Sequence, residues 1–164
     1  MSKVIHVQLN AASVQKAIRE IQTYQRQLTD KCKEICYRLA YYGALRASID
    51  FSGAIYKGPR EYSITVEETD HGYRILADGA TVLILEFGAG AKMGYGHPKA
   101  DEFGMGPGTY PDGKGHWNDP KGWWIPKSHG GGHTYGNPPA MPMYNAGQDM
   151  RKEIERIARE VFSQ

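Results

Sequence analysis

The longest pattern in the chain is an apolar repeat at intervals of three and four residues between positions 14 and 52. This spacing is typical of one face of an amphipathic helix, and Asn10 or Ser13 can cap its first turn. At about 1.5 Å per residue, such a helix would be roughly 55 Å long. Because that length exceeds a small domain, we expect the helix either to bend near Thr29 or to project toward a partner.

A second amphipathic helix is predicted over residues 143–162, because apolar residues recur there at helical spacing. The prolines at 138, 139 and 142 prevent an earlier start. Between the two helices, residues 61–69 and 73–77 alternate apolar and polar side chains around a turn at Asp70, His71 and Gly72. This arrangement predicts a β-hairpin.

Three shorter stretches complete the pattern. Residues 3–9 alternate as a half-buried strand does, and residues 122–126 have the composition of a short edge strand. Residues 80–87 are apolar but few, so a strand and a helical turn are both open. Two helices and a small antiparallel sheet predict an α+β fold in a single domain, residues 1–164, with the helices packed on one face of the sheet.

Residues 88–137 depart from this regularity. They hold 14 of the 20 glycines, five of the nine prolines and all three tryptophans. A loop beyond about 15 residues is usually functional or disordered, but disordered segments normally lack aromatic residues. This one carries Trp117, Trp123, Trp124 and Tyr135. We therefore expect an extended loop, inserted within the domain, that becomes ordered against another molecule, and our central hypothesis is a neighbouring subunit.

The net charge is only +2, but it is unevenly distributed. Residues 1–60 carry ten Lys and Arg against four Asp and Glu, whereas residues 61–87 carry one against six. Identical subunits that pack head to tail could exploit a basic half beside an acidic half. A basic face that tolerates nucleic acid is the weaker interpretation, because the overall balance is far from that of a dedicated nucleic-acid binder.

The composition also bounds the environment of the protein. The chain has no run of roughly 18 apolar residues, so no transmembrane helix is expected, and residues 1–6 lack the apolar region of a signal peptide. Cys32 and Cys36 lie four apart on one face of the first predicted helix, where we expect small buried hydrophobic side chains rather than a metal pair. We expect assembly in a reducing, cytoplasmic environment.

Patterns that would carry chemistry are incomplete. The glycines at 104, 106 and 108 lack the Lys-Ser/Thr and the leading strand of a phosphate-binding loop. His129 and His133 are separated by three glycines, which cannot present two ring nitrogens as a helical zinc motif does. We expect solvated or hydrogen-bonded loop histidines, with a structural metal as the alternative. No nucleophile, base and orienting group assemble at readable spacing, so we expect no enzyme, no catalytic residues and no cofactor.

The loop tryptophans have two interpretations. Trp117, Trp123 and Trp124 could stack on sugars or bases, which would make the protein a carbohydrate- or nucleic-acid-binding module. Tryptophan and tyrosine are equally suited to protein–protein contact, where both are enriched at hot spots. We prefer the interface, because only five Lys and Arg accompany the tryptophans across the loop and four acidic residues offset them.

Two blocks of the sequence resemble a known family. Residues 85–90, Leu-Glu-Phe-Gly-Ala-Gly, follow the hairpin and resemble the Glu-(Phe/Tyr)-Gly signature of the minor tail-component family of tailed phages with long non-contractile tails. Residues 136–146, which open the last helix, resemble that family's block of spaced prolines, Phe or Met, and Ala. The residues between the blocks are similar to the longer loop of members in prophages of Gram-positive bacteria.

The resemblance implies a structural virion protein that joins head to tail, as a neck or tail-completion subunit. It implies a homo-oligomeric ring between the capsid connector and the tail tube, assembled in the host cytoplasm. Its partners would be connector or head-closure proteins and tail-tube proteins, with DNA passing through the lumen without sequence specificity. The structural positions that it marks are Glu86, Phe87 and Gly88 at the exit of the sheet, and Pro139, Pro142 and Ala146 at the start of the last helix.

Two of these positions also carry expectations of their own. Glu86 is either a buried carboxylate paired with a cation or a solvated residue at a rim, and we prefer the solvated position. Gly88, together with Gly90, is expected to adopt backbone angles that would strain an alanine.

Overall fold

A computed structural model describes residues 4–105 and 119–163 of the chain. Its helices and strands are α1 (Ala11–Gly53), β1 (Ser63–Thr69), β2 (Gly72–Asp78), α2 (Val82–Phe87), β3 (Trp123–Ile125), β4 (Gly132–Thr134) and α3 (Pro142–Ser163). The predicted α+β fold is confirmed, with a long N-terminal helix, a C-terminal helix and two small antiparallel sheets.

Helix α1 begins where its capping residues predict. The Asn10 side chain accepts a hydrogen bond from the Ser13 backbone N–H at 2.8 Å, and the Ser13 hydroxyl accepts one from the Gln8 N–H at 2.9 Å. The first of these bonds satisfies a donor that the first helical turn would otherwise leave without a partner, and the second ties the residues before the helix to that turn. The helix then continues without interruption for 43 residues, which corresponds to about 65 Å.

Helix α3 lies antiparallel to the C-terminal half of α1. Near one end of the contact, Arg46 Nε donates to Asp149 at 3.2 Å, and near the other, Lys31 Nζ donates to the Val161 carbonyl at 3.0 Å. Helix α3 therefore ends opposite Lys31. The preceding half of α1, residues 11–30, extends beyond it, and every residue from 21 to 30 is exposed.

The hairpin is confirmed with a two-residue turn at Asp70 and His71, and its register pairs Ser63 with Asp78 and Thr69 with Gly72. One face of the hairpin packs on α1, where the rings of Phe51 and Tyr62 stack with centroids 4.8 Å apart. The core at this contact combines small and large side chains that are buried: Ala47, Phe51, Ala54, Leu85 and Ala146.

Helix α1, strand β2 and helix α3 approach one another closely because residue 43 is a glycine. A Cβ at this position would lie 2.3 Å from Met150 Sδ of α3 and 2.7 Å from Ile75 Cδ1 of β2. The two side chains therefore fill the space that a larger residue on α1 would need. This contact places β2 on the side of the hairpin that is nearer to α3.

The strand predicted for residues 3–9 is wrong over its described part. Residues 4–8 have no regular structure, and the chain bends at Leu9 and Asn10 before α1, where the Asn10 N–H donates to the Gln8 carbonyl at 2.8 Å. Alternation supplies side chains suited to a sheet, but a strand also requires a neighbouring backbone to complete its hydrogen bonds. None of the described residues provides one.

The predicted burial of the two cysteines is also wrong, because Cys32 and Cys36 are both exposed. Cys36 lies at the tip of the hairpin, where the neighbouring residue is Gly72; a Cβ there would lie only 3.9 Å from Cys36 Sγ, but glycine has none. Cys32 lies one turn closer to the N-terminus of α1, beyond the hairpin tip.

Residues 80–87, which were open between strand and helix, form α2. The predicted edge strand is β3, and it pairs with β4. The described parts of the 88–137 segment also contain short 3-10 helices at Asp101–Phe103 and Lys127–His129. The segment begins and ends at a bridge in which Ala89 and Asn137 exchange backbone hydrogen bonds of 2.9 and 3.1 Å. Whether this segment requires a partner for its order stays a prediction.

Candidate functional site

The two blocks that carry the family resemblance contact each other at the start of α3. The Leu85 carbonyl accepts a hydrogen bond from the Ala140 N–H at 2.9 Å, and the Ile84 carbonyl accepts one from the buried side chain of Asn137 at 3.0 Å. The carbonyls at the end of α2 are thus satisfied by the segment that leads into α3. We call this contact the α2–α3 junction.

Glu86 is the centre of the α2–α3 junction. Its carboxylate accepts hydrogen bonds from the backbone N–H groups of Met143 at 2.8 Å and Tyr144 at 3.0 Å. These donors belong to the first turn of α3, which begins at Pro142, a residue without an N–H. A carboxylate at this end of a helix also interacts favourably with the helix dipole. Glu86 therefore caps α3 from another element.

His97 supplies the third donor to this carboxylate. Its Nε2 lies 3.1 Å from Glu86 Oε1, while its Nδ1 accepts a hydrogen bond from the Lys99 N–H at 3.1 Å. Because Nδ1 is an acceptor, the proton resides on Nε2, and the ring is a neutral donor to Glu86. The ring packs against Phe87, with centroids 4.3 Å apart, and against Tyr144, with centroids 5.5 Å apart.

This arrangement corrects the preference for a solvated Glu86, since the residue is only 6% exposed. Its partners are two backbone N–H groups and a neutral imidazole rather than the cation of the alternative. A buried carboxylate with three donors is well compensated for its lost hydration. Both carboxylate oxygens of Glu86 and both ring nitrogens of His97 are engaged in these hydrogen bonds, so the geometry is that of a helix cap.

The other marked positions lie around this cap. Pro142 is the first residue of α3, and Ala146 is buried one turn later in the core beside α1. Gly88 has φ of 75°, and a Cβ there would lie 2.7 Å from the nitrogen of Pro139. Gly90 has φ of 89°, and a Cβ there would lie 2.3 Å from the Tyr135 carbonyl. The expectation that alanine would be strained at both glycines is confirmed.

The described aromatic residues of the loop are divided between different surroundings. Trp123 is half-buried, whereas Trp124, on the opposite face of β3, is 75% exposed and lies edge-on to His133 with ring centroids 5.2 Å apart. Tyr135 is exposed, and Lys92 Nζ lies 4.4 Å from the centre of its ring. Trp117 lies outside the described residues. Trp124, His133 and Tyr135 therefore form an exposed aromatic row.

A mainly apolar cleft of about 740 Å³ lies between the residues that follow α1 and the β3–β4 pair. Its walls include Ile55, Tyr56, Trp123, Tyr135 and Pro138. Burial raises the pKa of Tyr56, and the carboxylate of Glu61 raises it further, so the phenol stays protonated at neutral pH. The cleft thus offers apolar walls and a hydroxyl donor.

A row of exposed apolar side chains lies on the first half of α1. Its members follow the helical repeat along one face, and each is exposed: Val14, Ile18, Ile21, Tyr24 and Leu28. We call these five residues the apolar stripe. The repeat continues into Leu39, Gly43 and Ala47, the face of α1 on which α3 and the hairpin pack. This face is therefore covered by α3 and the hairpin along the second half of the helix, whereas in the first half Ala17 is buried but the five larger side chains are exposed.

Sequence reasoning missed two residues of the α2–α3 junction, His97 and Asn137. One signal was available for the cap itself, because Met141, which precedes α3, cannot accept hydrogen bonds from the first helical turn as Ser, Thr, Asp or Asn would. A missing local cap indicates an acceptor elsewhere in the fold. No local pattern in the sequence predicts that His97 forms a hydrogen bond with this acceptor, the Glu86 carboxylate.

The side chains that commonly bind metal ions are dispersed over residues 4–105 and 119–163. No three His, Cys, Asp or Glu side chains among these residues are grouped so that they could hold a metal ion. No helix within the same ranges combines the length and the apolarity that crossing a membrane requires.

Comparisons of the chain with protein-family models, with curated proteins and with solved structures find no match.

Proposed function

We propose that this protein is a structural subunit of a tailed-phage or prophage virion that forms a homo-oligomeric ring at the head–tail junction. In this role it acts as a connector, neck or tail-completion protein between the capsid connector and the tail tube. The phage assignment depends on the resemblance of residues 85–90 and 136–146 to the minor tail-component family. Its site of assembly would be the host bacterial cytoplasm.

The observation that carries the oligomeric part of the proposal is the uncovered apolar stripe. Ile18 and Ile21 are 48% and 46% exposed on a helix half that extends beyond the end of α3. Exposed rows of large apolar side chains mark interaction surfaces more often than isolated ones do. A second copy of the chain can cover the stripe, since ring subunits meet through two different surfaces.

The charge distribution supports the same geometry. The basic excess lies in residues 1–60, which include α1, and the acidic excess lies in residues 61–87, which include the hairpin. Within the first half of α1, Lys16, Arg19 and Arg26 exceed Glu20 and Asp30 by one charge, so a contact with an acidic surface in the next copy would bring opposite charges together. Such a contact repeats around a ring if the rotation between copies closes.

Self-association tests the oligomeric proposal directly. We expect light scattering at high protein concentration, or with the connector present, to detect a ring. The double variant Ile18→Ser/Ile21→Ser should weaken association at least about tenfold, which corresponds to about 1.4 kcal/mol. The matched control is Ile154→Ser, because Ile154 is also 48% exposed but lies on α3. Equal association of both variants would contradict the role of the stripe.

Virion assembly tests the phage assignment. Deletion of the gene from a producing lysogen should yield separate heads and tails by electron microscopy. The wild-type chain and the Ile154→Ser control should restore joined particles, whereas the double stripe variant should not. Complete infectious particles without the protein would contradict the proposed role.

The apolar cleft favours a second candidate, a carbohydrate- or nucleic-acid-binding module. Trp123 and Tyr135 contribute to the walls of the cleft, and Trp124 is exposed beside it. Aromatic faces of this kind stack on bases and sugars. Titration with glycans and oligonucleotides should then change tryptophan fluorescence at modest ligand concentration, and the change should be lost in Trp123→Ala. An unchanged spectrum would remove this candidate.

A further inference from the structure

Residues 4–9 have the side chains of a strand but no strand partner. Ile5, Val7 and Leu9 alternate with His6 and Gln8, and Val7 and Leu9 are exposed. Among the described residues, no backbone–backbone hydrogen bond involves residues 4–7. A segment with β-branched side chains and unpaired backbone groups is well suited to join a sheet.

The β1–β2 hairpin has edges on which a further strand could pair. Within the described ranges, β1 and β2 form a sheet of two strands, and no other element joins either edge. An edge strand presents a row of unpaired N–H and C=O groups, and a hairpin of only two strands is marginally stable without further packing. The hairpin is therefore a template for an added strand.

The segment cannot pair with the hairpin of its own chain. The hairpin tip lies beside Cys36, since a Cβ on Gly72 would lie 3.9 Å from Cys36 Sγ. From Asn10 to Cys36, α1 extends about 39 Å at roughly 1.5 Å per residue. Residues 4–9 can reach back only about 20 Å at roughly 3.4 Å per residue. Only the hairpin of another copy is within reach.

The two partners also match in pattern and charge. On β1, Ile64 and Val66 are half-buried toward α1, while Ser63 and Thr65 are exposed on the outer face. An added strand can place Ile5, Val7 and Leu9 beside the first pair of side chains, with His6 and Gln8 outside. The hairpin region is acidic, and residues 4–9 carry no acidic side chain that would repel it.

We propose that residues 4–9 of one copy add as a third strand to the outer edge of β1 in the neighbouring copy. This inference depends on the homo-oligomeric ring of the proposed function and names one of its contacts. β1 is the recipient because β2 lies on the side nearer to α3, where Ile75 meets Met150 beside Gly43. Strand addition fixes the register of an interface through main-chain hydrogen bonds, and side-chain pockets give its specificity.

Disulfide crosslinking in the assembled ring tests the contact. The full chain would carry Cys32→Ser and Cys36→Ser, so that the introduced cysteines are the only ones. His6→Cys combined with Thr65→Cys on β1 should give intermolecular disulfides, because opposite Cβ atoms in a sheet lie about 5 Å apart. His6→Cys combined with Leu76→Cys on β2 is the matched control and should give none. Rings that form without the β1 crosslink, or with the β2 crosslink instead, would overturn the inference.

A second measurement does not require the ring. A synthetic peptide of residues 3–10 is added to the full chain, and hydrogen exchange is followed at the β1 amides. We expect at least about tenfold slower exchange along β1, and no slowing with a peptide that carries Val7→Pro, which lacks one donor and fits poorly in a ladder. Unchanged exchange with the wild-type peptide would overturn the inference.

The two experiments separate the two proposals. If rings assemble but neither crosslinks nor β1 protection appear, strand addition is wrong and the ring stands. If the peptide protects β1 but the chain never assembles, the proposed function fails and the affinity of residues 4–9 for the hairpin stands.

Discussion

The two halves of α1 share one helical repeat but differ in what covers them. In the second half, the repeat places Ala40, Gly43 and Ala47 on the covered face, and all three are buried. In the first half, the same face carries the larger side chains of the apolar stripe, and these are exposed. Small residues permit α3 and the hairpin to approach the helix closely, as Gly43 does for Met150 and Ile75.

The periodicity of a helix therefore predicts a face for burial but not the partner that buries it. In the second half of α1, the partners are α3 and the hairpin of the same chain. Large branched and aromatic side chains, such as Ile21 and Tyr24, gain more from burial than alanine or glycine do. Large side chains are also exposed on another face of the second half: Tyr37, Tyr41, Leu45 and Ile49. The apolar stripe differs from them because it continues the face that α3 and the hairpin bury, and an intermolecular contact could bury it in the same way.

The greatest contrast in stability is expected between alanine substitutions of two aromatic residues, one on each half of α1. Phe51 is fully buried, and Phe51→Ala should lower the free energy of unfolding by about 3–5 kcal/mol through lost transfer energy and a cavity. Tyr24→Ala in the apolar stripe should change it by no more than about 0.5 kcal/mol. Urea denaturation at low protein concentration measures both. Similar losses in the two variants would break the distinction between the halves.

The second effect tests the cap that starts α3. Glu86→Ala leaves three buried donors without an acceptor and should lower the free energy of unfolding by about 2–4 kcal/mol. The amides of Met143 and Tyr144 should then exchange hydrogen faster. Glu68→Ala is the matched control, because Glu68 is an exposed glutamate on β1. If exchange at the two amides is unchanged in Glu86→Ala, the cap assignment is wrong.

The third effect concerns the backbone of the α2–α3 junction. Gly88→Ala should lower the free energy of unfolding by about 1–3 kcal/mol, because a side chain at positive φ is strained and would contact the Pro139 nitrogen. Gly53→Ala is the control, since a Cβ at Gly53 would meet no atom within 4 Å. The control should be neutral or slightly stabilising. Thermal unfolding of the two variants checks the difference.

The smallest expected effect is a change of stability with pH. It arises from Asp149 of α3, whose carboxylate pairs with Lys152 on the same helix and with Arg46 on the covered half of α1. A hydrogen bond from Lys152, together with one from Arg46, holds the pKa of Asp149 below its usual value despite some desolvation. A lowered pKa contributes stability above the unfolded value of about 3.9, and that contribution is lost as the pH falls through the folded value. Asp149→Asn should therefore melt slightly below wild type near pH 7.

The comparison at low pH completes this test. The melting temperatures of Asp149→Asn and wild type should converge as the pH falls below the lowered pKa, because both side chains are then uncharged. A difference that persists unchanged in acid would show that another property of the amide causes it.

The elements that could be predicted from sequence are those with a local physical cause. Helix α1 follows from a repeat and a cap at Asn10, α3 follows from a repeat that begins after prolines, and the hairpin follows from alternation around a turn at Asp70 and His71. The strand predicted at residues 3–9 was wrong because alternating side chains do not provide the neighbouring strand whose backbone must complete the hydrogen bonds. The predicted burial of Cys32 and Cys36 was wrong because burial at these positions depends on where the hairpin and α3 end.

The candidate site could be predicted only in part, because its contacts join distant parts of the chain. The family signature drew attention to Glu86 and Gly88, and the need for glycine at Gly88 and Gly90 was foreseen. The buried environment of Glu86 was not, because Met143 is 57 residues away along the chain. The inserted position of the 88–137 segment within one domain stays a prediction.

The bridge between Ala89 and Asn137 has an evolutionary consequence. Two main-chain hydrogen bonds fasten the chain where it leaves the core and where it returns. The entropy of closing a flexible loop rises by only about 0.6 kcal/mol for each doubling of its length. Insertions and deletions between these two anchors should therefore be tolerated far better than changes at the anchors, which would allow related chains to diversify there while keeping the same helical frame.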